Sequence, residues 1–195
     1  MQGIASRLTV RSALGLACAG PALALAVAPS VAWAQDQSSS ARTVVLDPLG
    51  LERVRDLDFG YVLPNGTDGT VTMTPSDGST EHSCVAANIL HVETCQPAEF
   101  GGLGSSNQIV RVRVPRGRRI VLTGPGADIL IDELVVVGDE NIQRLSPAGS
   151  RRNIRYRIVS AEGAFVFRIG GRLNVAGNQA PGEYSATFDV ELNYR

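Results

Sequence analysis

The 195 residues carry 18 Lys+Arg against 19 Asp+Glu, a net charge of −1 that gives no electrostatic case for nucleic acid as a partner. Every basic residue is arginine, which excludes Schiff-base and lysine-isopeptide chemistry. Setting aside residues 1–34 leaves one domain's worth of chain, enough to bury a core of its own.

Residues 1–34 read as a cleaved signal peptide. Arg7 and Arg11 precede an apolar run from Ala13 to Ala28, and Ala32-Trp33-Ala34 is a small-x-small cleavage site. Gly15, Gly20 and Pro21 interrupt the run, and it falls short of the ~20 residues that span a bilayer, so no transmembrane anchor is expected after cleavage. A weaker rival is lipoprotein processing at Leu16-Ala17-Cys18, where Gly15 stands in place of a large aliphatic residue. The protein is expected to be exported, to the periplasm, the cell surface or the medium.

Residues 35–42 form a Ser- and Gln-rich flexible leader, and order is expected from Thr43, with residues 43–195 as a single domain. From there apolar side chains alternate with polar ones, between clusters of Gly, Pro, Asn and Asp, and no 3.6-residue stripe is sustained. Val71 and Met73 stand among threonines, Val110, Val112 and Val114 alternate with Arg111 and Arg113, and Ile154, Tyr156 and Ile158 alternate with Arg155 and Arg157. These are half-buried strands with arginine on the wet face. Ile129–Ile131 and Leu134–Val137 are short buried runs, and Phe165, Phe167 and Ile169 continue through a bend at Gly170-Gly171 to Leu173 and Val175. The clearest strand is the last, where Tyr184, Ala186, Phe188, Val190, Leu192 and Tyr194 share one face. About eight short strands at this spacing predict an all-β sandwich or barrel.

Cys18 leaves with the signal, so Cys84 and Cys95 remain as a pair in an oxidising compartment, and one disulfide is expected. The competing use of this neighbourhood is a metal site, because His82, Cys84, His91 and Cys95 are all zinc-ligand types, but a bridge would consume both thiolates. No metal or other cofactor is expected. Ser83–Thr94 is the only helical candidate, yet His91, Val92 and Thr94 are poor helix formers, so a disulfide-closed loop or short strands fit better.

Chemistry is otherwise hard to find. His82 and His91 are the only imidazole bases, neither within a catalytic motif, and there is no Gly-x-Ser-x-Gly, His-Glu-x-x-His or phosphate loop. No catalytic residue is assigned, and an enzyme is not expected. Asp128, Asp132 and Glu133 read as solvated faces. Arg111, Arg113, Arg116, Arg118 and Arg119, with Arg151, Arg152, Arg155 and Arg157, would form a polyanion patch if their strands were neighbours, and are otherwise solubilising charge that guards strand edges.

Asp47-Pro48-Leu49, Leu57-Asp58-Phe59-Gly60, Ala98-Glu99-Phe100, Leu122-Thr123-Gly124 and Gly171-Arg172-Leu173-Asn174-Val175 occur in an order that resembles the bacterial family known as domain of unknown function 4402. The closing strand also resembles that of chaperone-usher pilus subunits and of common-pilus and spore-coat proteins: Gly182 is fourteenth from the C-terminus, Phe188, Val190 and Leu192 alternate, and Tyr194 is penultimate. That resemblance implies an immunoglobulin-like antiparallel β-sandwich whose partners are its own copies or a periplasmic chaperone and usher. Its interaction strand would comprise Gly182, Tyr184, Phe188, Val190, Leu192 and Tyr194. Because Gln35–Ser40 are all polar, a donor strand would fall on Val44, Leu46, Leu49 and Leu51, a segment equally suited to be the domain's own first strand. The expected function is a pilin-like surface subunit that interacts by strand complementation. The alternative is a self-complete secreted binding module using its arginine faces.

Overall fold

The structure, a computed structural model, describes residues 43, 45–92, 95–147 and 153–195. The signal segment, the polar leader, Val44, Thr94, Arg151 and Arg152 lie outside the described residues.

The strands in chain order are β1 Gly50–Arg55, β2 Tyr61–Leu63, β3 Gly69–Pro75, β4 His82–Ala87, β5 Leu90–Val92, β6 Ala98–Leu103, β7 Ile109–Arg113, β8 Ile120–Leu122, β9 Ile129–Gly138, β10 Ile142–Arg144, β11 Asn153–Ile158, β12 Ala164–Val175 and β13 Glu191–Tyr194. All pair antiparallel, and the protein is an all-β sandwich. The seven-stranded sheet is organised on β12, whose first half pairs with β6 and whose second half pairs with β3 on one edge. Its other edge pairs with β9, which carries β8. The four-stranded sheet runs β10-β11-β7-β13, and β2 and β5 make a separate ribbon.

The inward faces are those that alternation picks out. Phe165, Phe167, Ile169, Leu173 and Val175 from β12 join Val71, Met73, Ile131 and Val136, and a single buried cluster unites them with Val110, Val112, Ile154, Tyr156 and Ile158 of the four-stranded sheet. Phe100 and Phe167 stack at 5.3 Å with their planes 13° apart.

The two short runs 129–131 and 134–137 are one strand interrupted by a bulge. Val135 lies opposite Gly170 and Asp132 opposite Arg172, so Glu133 and Leu134 share the place facing Gly171, with Glu133 at φ 51°. The expected irregularity at Gly170-Gly171 thus falls on the facing strand. A Cβ on Gly171 would meet the Asp132 carbonyl oxygen and Leu134 Cδ2 at 3.0 Å, so glycine makes room for the extra residue.

Asp132 and Glu133 are not simply solvated, because both pair with Arg172 at 3.0 Å. Burial pushes the Asp132 carboxyl up, but hydrogen bonds from Arg172 and Asn174 and the charges of Arg172 and Arg119 outweigh it and hold the group below its ordinary 3.8. A second acidic-basic pair lies deeper: Arg168 is 5 % exposed, and its Nε donates to Glu99 Oε2 at 2.8 Å while Nη1 donates to the Ser79 carbonyl at 2.6 Å.

Tyr156 is buried, and its hydroxyl donates to the Val136 carbonyl at 3.1 Å. Burial pushes the phenol up from 10.0 to about 12. Because the folded value is raised, this contribution to stability is intact below the unfolded value of 10.0 and is lost as pH climbs toward about 12. Tyr156→Phe is expected to remove that alkaline loss, worth roughly 3 kcal/mol. At neutral pH the same change should cost about 1 kcal/mol for the missing hydrogen bond. Urea denaturation at neutral and at strongly alkaline pH reads both effects.

Candidate functional site

The described part of the helical candidate, residues 83–92, forms no helix but lies in two short strands, β4 and β5, joined through Asn88 at φ 58°. Cys84 of β4 and Cys95 are disulfide-bonded, with Cα atoms 6.3 Å apart. Closing so short a loop stabilises by about 3 kcal/mol, chiefly by restricting the unfolded chain. The histidines beside it hold backbone: Nε2 of His82 lies 2.7 Å from the Cys95 carbonyl and Nε2 of His91 lies 2.7 Å from the Phe59 carbonyl. Both thiols are taken up in the bridge, and each ring anchors a loop.

The proposed donor segment divides in two. Leu46 is exposed, Leu49 is half-buried against the core, and Leu51 lies in β1. Strand β1 pairs with β6 in the same chain, Gly50 opposite Leu103 and Arg53 opposite Phe100, at the edge of the seven-stranded sheet. All six of its residues are exposed, so backbone hydrogen bonding holds it while its side chains add little to the core.

The C-terminal residues follow another edge. The turn before them needs glycine: Gly182 has φ 144°, and a Cβ there would meet Pro125 Cγ at 2.5 Å. The Tyr184 ring then packs so closely over Gly124 and Gly126 that a Cβ at either would collide with it, and its hydroxyl donates to the Ala180 carbonyl at 2.9 Å. Ser185 and Thr123 exchange two backbone hydrogen bonds of 3.0 Å beyond the end of β8. At the other end Glu191–Tyr194 pair with Arg113–Val110 of β7, and the Arg195 amide donates to the Ile109 carbonyl at 3.0 Å. Tyr194 closes the segment, its hydroxyl accepting from the Ser105 amide at 2.7 Å and donating to the Asp47 carbonyl at 3.0 Å.

Tyr184, Phe188, Val190, Leu192 and Tyr194 are half-buried against the core, whereas Ala186 and the odd-numbered residues between them are exposed. The backbone alternates as well. Since an antiparallel strand sends the amides of every second residue to the same side, Glu191, Asn193 and Arg195 bond β7 while Leu192 and Tyr194 direct theirs away. Residues 186–190 make no backbone hydrogen bond among the described residues. β13 ends the four-stranded sheet and residues 186–190 before it belong to no strand, so the segment from Tyr184 to Tyr194 leaves an unpaired outer side among the described residues.

Beside residues 187–189 lies a groove of about 380 Å³, lined by Arg113, Pro115, Arg119, Val121, Phe188 and Asp189, where the chain between β7 and β8 loops out around Arg116–Arg118. The sequence reading passed over one exposed apolar face: Tyr61 lies opposite Val92 and Leu63 opposite Leu90, and all four are at least 45 % exposed. The signal for it was an unbroken apolar run, Tyr61-Val62-Leu63, beside the apolar alternation of Leu90 and Val92 about His91.

Among the described residues no helix is long and apolar enough to cross a membrane. A family model described as Domain of unknown function (DUF4402) matches residues 49–194. No curated protein and no solved structure matches the chain.

Proposed function

The chain belongs to the DUF4402 family, and from the form of its C-terminal edge we propose that it is an exported, pilin-like structural subunit that assembles by β-strand addition and performs no catalysis. The observation that carries this reading is the outer side of Tyr184–Tyr194, a row of amides and carbonyls unpaired among the described residues, behind side chains that already pack against the core. Backbone pairing would supply the affinity of an added strand, and its alternate side chains would supply the register. A natural donor is the N-terminal strand of a neighbouring copy. β1 itself has no buried side chain to withdraw, so leaving β6 costs its ladder hydrogen bonds together with the packing of Leu49 and the Asp47 contacts to Ser105 and Tyr194 just before it. Leu51 and Val54, exposed at 36 % and 53 %, are the apolar side chains β1 would offer to a second copy. A periplasmic chaperone would use the same edge before assembly.

Proline separates the edge from the fold. Val190 lies just before the ladder and directs its amide outward, so Val190→Pro removes a donor toward the incoming strand, sets a ring in its path and leaves the hydrogen bonds to β7 intact. The variant is expected to remain a folded monomer while the wild-type protein forms oligomers or fibres, read by size-exclusion chromatography and electron microscopy. Assembly of Val190→Pro at the wild-type level, or a wild-type protein that stays monomeric at high concentration, would remove the proposal.

A further inference from the structure

The arginines of the four-stranded sheet raise a question that strand addition does not answer. β11 and β7 are antiparallel neighbours in register, with Arg155 directly opposite Arg111, Asn153 opposite Arg113 and Arg157 opposite Ile109. On the far side of β7, β13 sets Asn193 opposite Arg111 and Glu191 opposite Arg113, and the Arg195 amide bonds Ile109. Odd-numbered residues on all three strands face outward, so Arg111, Arg113, Arg155, Arg157 and Arg195 share one sheet face. Within these ladders Glu191 is the single acid, and it is engaged at 2.6 Å by Nη1 of Arg113. Among the described residues no carboxylate comes within ion-pair distance of Arg111, Arg155, Arg157 or Arg195. Nε of Arg113 is buried without a hydrogen-bond partner.

Edge protection does not account for this. β11 and β7 are the two inner strands of the β10-β11-β7-β13 sheet, where no edge needs guarding. Like charges directly across a ladder destabilise it, so the Arg155–Arg111 pair is a standing cost to the fold. A feature that opposes stability in the middle of a sheet fits a ligand better than a scaffold.

We propose that this face binds a linear anionic polysaccharide. Adjacent strands set the points from which these arginines project ~5 Å apart across the sheet and ~7 Å apart along each strand, an array of planar donors suited to successive carboxylate or sulfate groups. The Gln143, Asn153 and Asn193 amides border the arginines, where hydroxyl groups of a sugar chain would find partners. Among the described residues of these ladders the face carries no aromatic side chain, so it lacks the stacking platform of a single-stranded nucleic-acid site, and Ile109 is its one apolar residue, too little to enter a bilayer. The inference does not depend on strand addition, because it concerns the outward side chains of β7 and β11 and leaves the C-terminal backbone edge free.

The test is salt-dependent retention on immobilised heparin, a sulfated linear polysaccharide, with a polyuronate as soluble competitor. Arg111→Gln/Arg155→Gln is expected to bind at least tenfold more weakly, while its melting temperature stays level or rises as the like-charge contact is relieved. Arg157→Gln/Arg195→Gln, at more exposed positions on the same face, should weaken binding in the same direction and guards against a folding defect in the first variant. Arg53→Gln/Arg55→Gln removes the same charge from β1 of the other sheet and should bind as wild type. Equal losses in all three variants would mean non-specific charge attraction and overturn the proposal. So would a wild-type protein that is not retained, or one that prefers single-stranded DNA or anionic vesicles to heparin.

Discussion

Glu99→Leu is expected to destabilise the protein by about 3–5 kcal/mol, because it strands a buried guanidinium. Arg168 is almost wholly enclosed: β12 is covered there by the loop through Gly78, whose amide donates to the Gly138 carbonyl at 3.1 Å. With Glu99 gone, the Ser79 carbonyl alone would face the positive charge among the described residues. Arg168→Met in the same chain should recover most of the loss, since an apolar pair of similar volume removes the charge as well as its partner. A cycle of the two single variants and the double variant in urea denaturation measures the coupling. A Glu99→Leu protein within about 1 kcal/mol of wild type would show that the pair behaves as a screened surface contact.

Phe167→Ala should cost a similar amount, about 3–5 kcal/mol, for a different reason. Phe167 is fully buried at the point where β6, β12 and β9 run side by side, with Phe100 and Gly138 as its ladder partners and the Phe100 ring stacked on it. Truncation leaves a cavity that strands tied on both edges cannot collapse to fill. At the 2–4 °C per kcal/mol usual for chains of this size, the melting temperature should fall by roughly 10 °C. Phe167→Leu, which keeps most of the volume, should lose about 1.5 kcal/mol or less. An unchanged denaturant slope in both variants would confirm that the native core, and not the unfolded chain, carries the effect.

Alternation identified the inward residues of β3, β7, β11 and β12 because one face of a sandwich strand is dry and the other wet, and that contrast is written in consecutive side chains. The cysteine pair was legible for a similarly local reason, as two residues of one type separated by a short loop. The bulge in β9 was not. Glu133 is an ordinary residue in its own segment, and only register against Gly170 and Arg172 makes it the extra one. The exposed face of the β2–β5 ribbon was missed because Tyr61, Leu63, Leu90 and Val92 look like core residues until their strands are seen to meet apart from the main sheets.

The amino-acid order alone determined that this chain makes short strands, which side chains of the main sheets face inward, and which cysteines stand close enough to bridge. Those properties follow from backbone pleating and chain proximity. Tertiary structure decided which strands are neighbours: that Arg111 meets Arg155 in the interior of a sheet, that β1 ends up at an edge, and that the outer side of the last segment is left unpaired among the described residues. Pairing between distant strands is chosen by the packing of the whole core, which no stretch of sequence carries by itself.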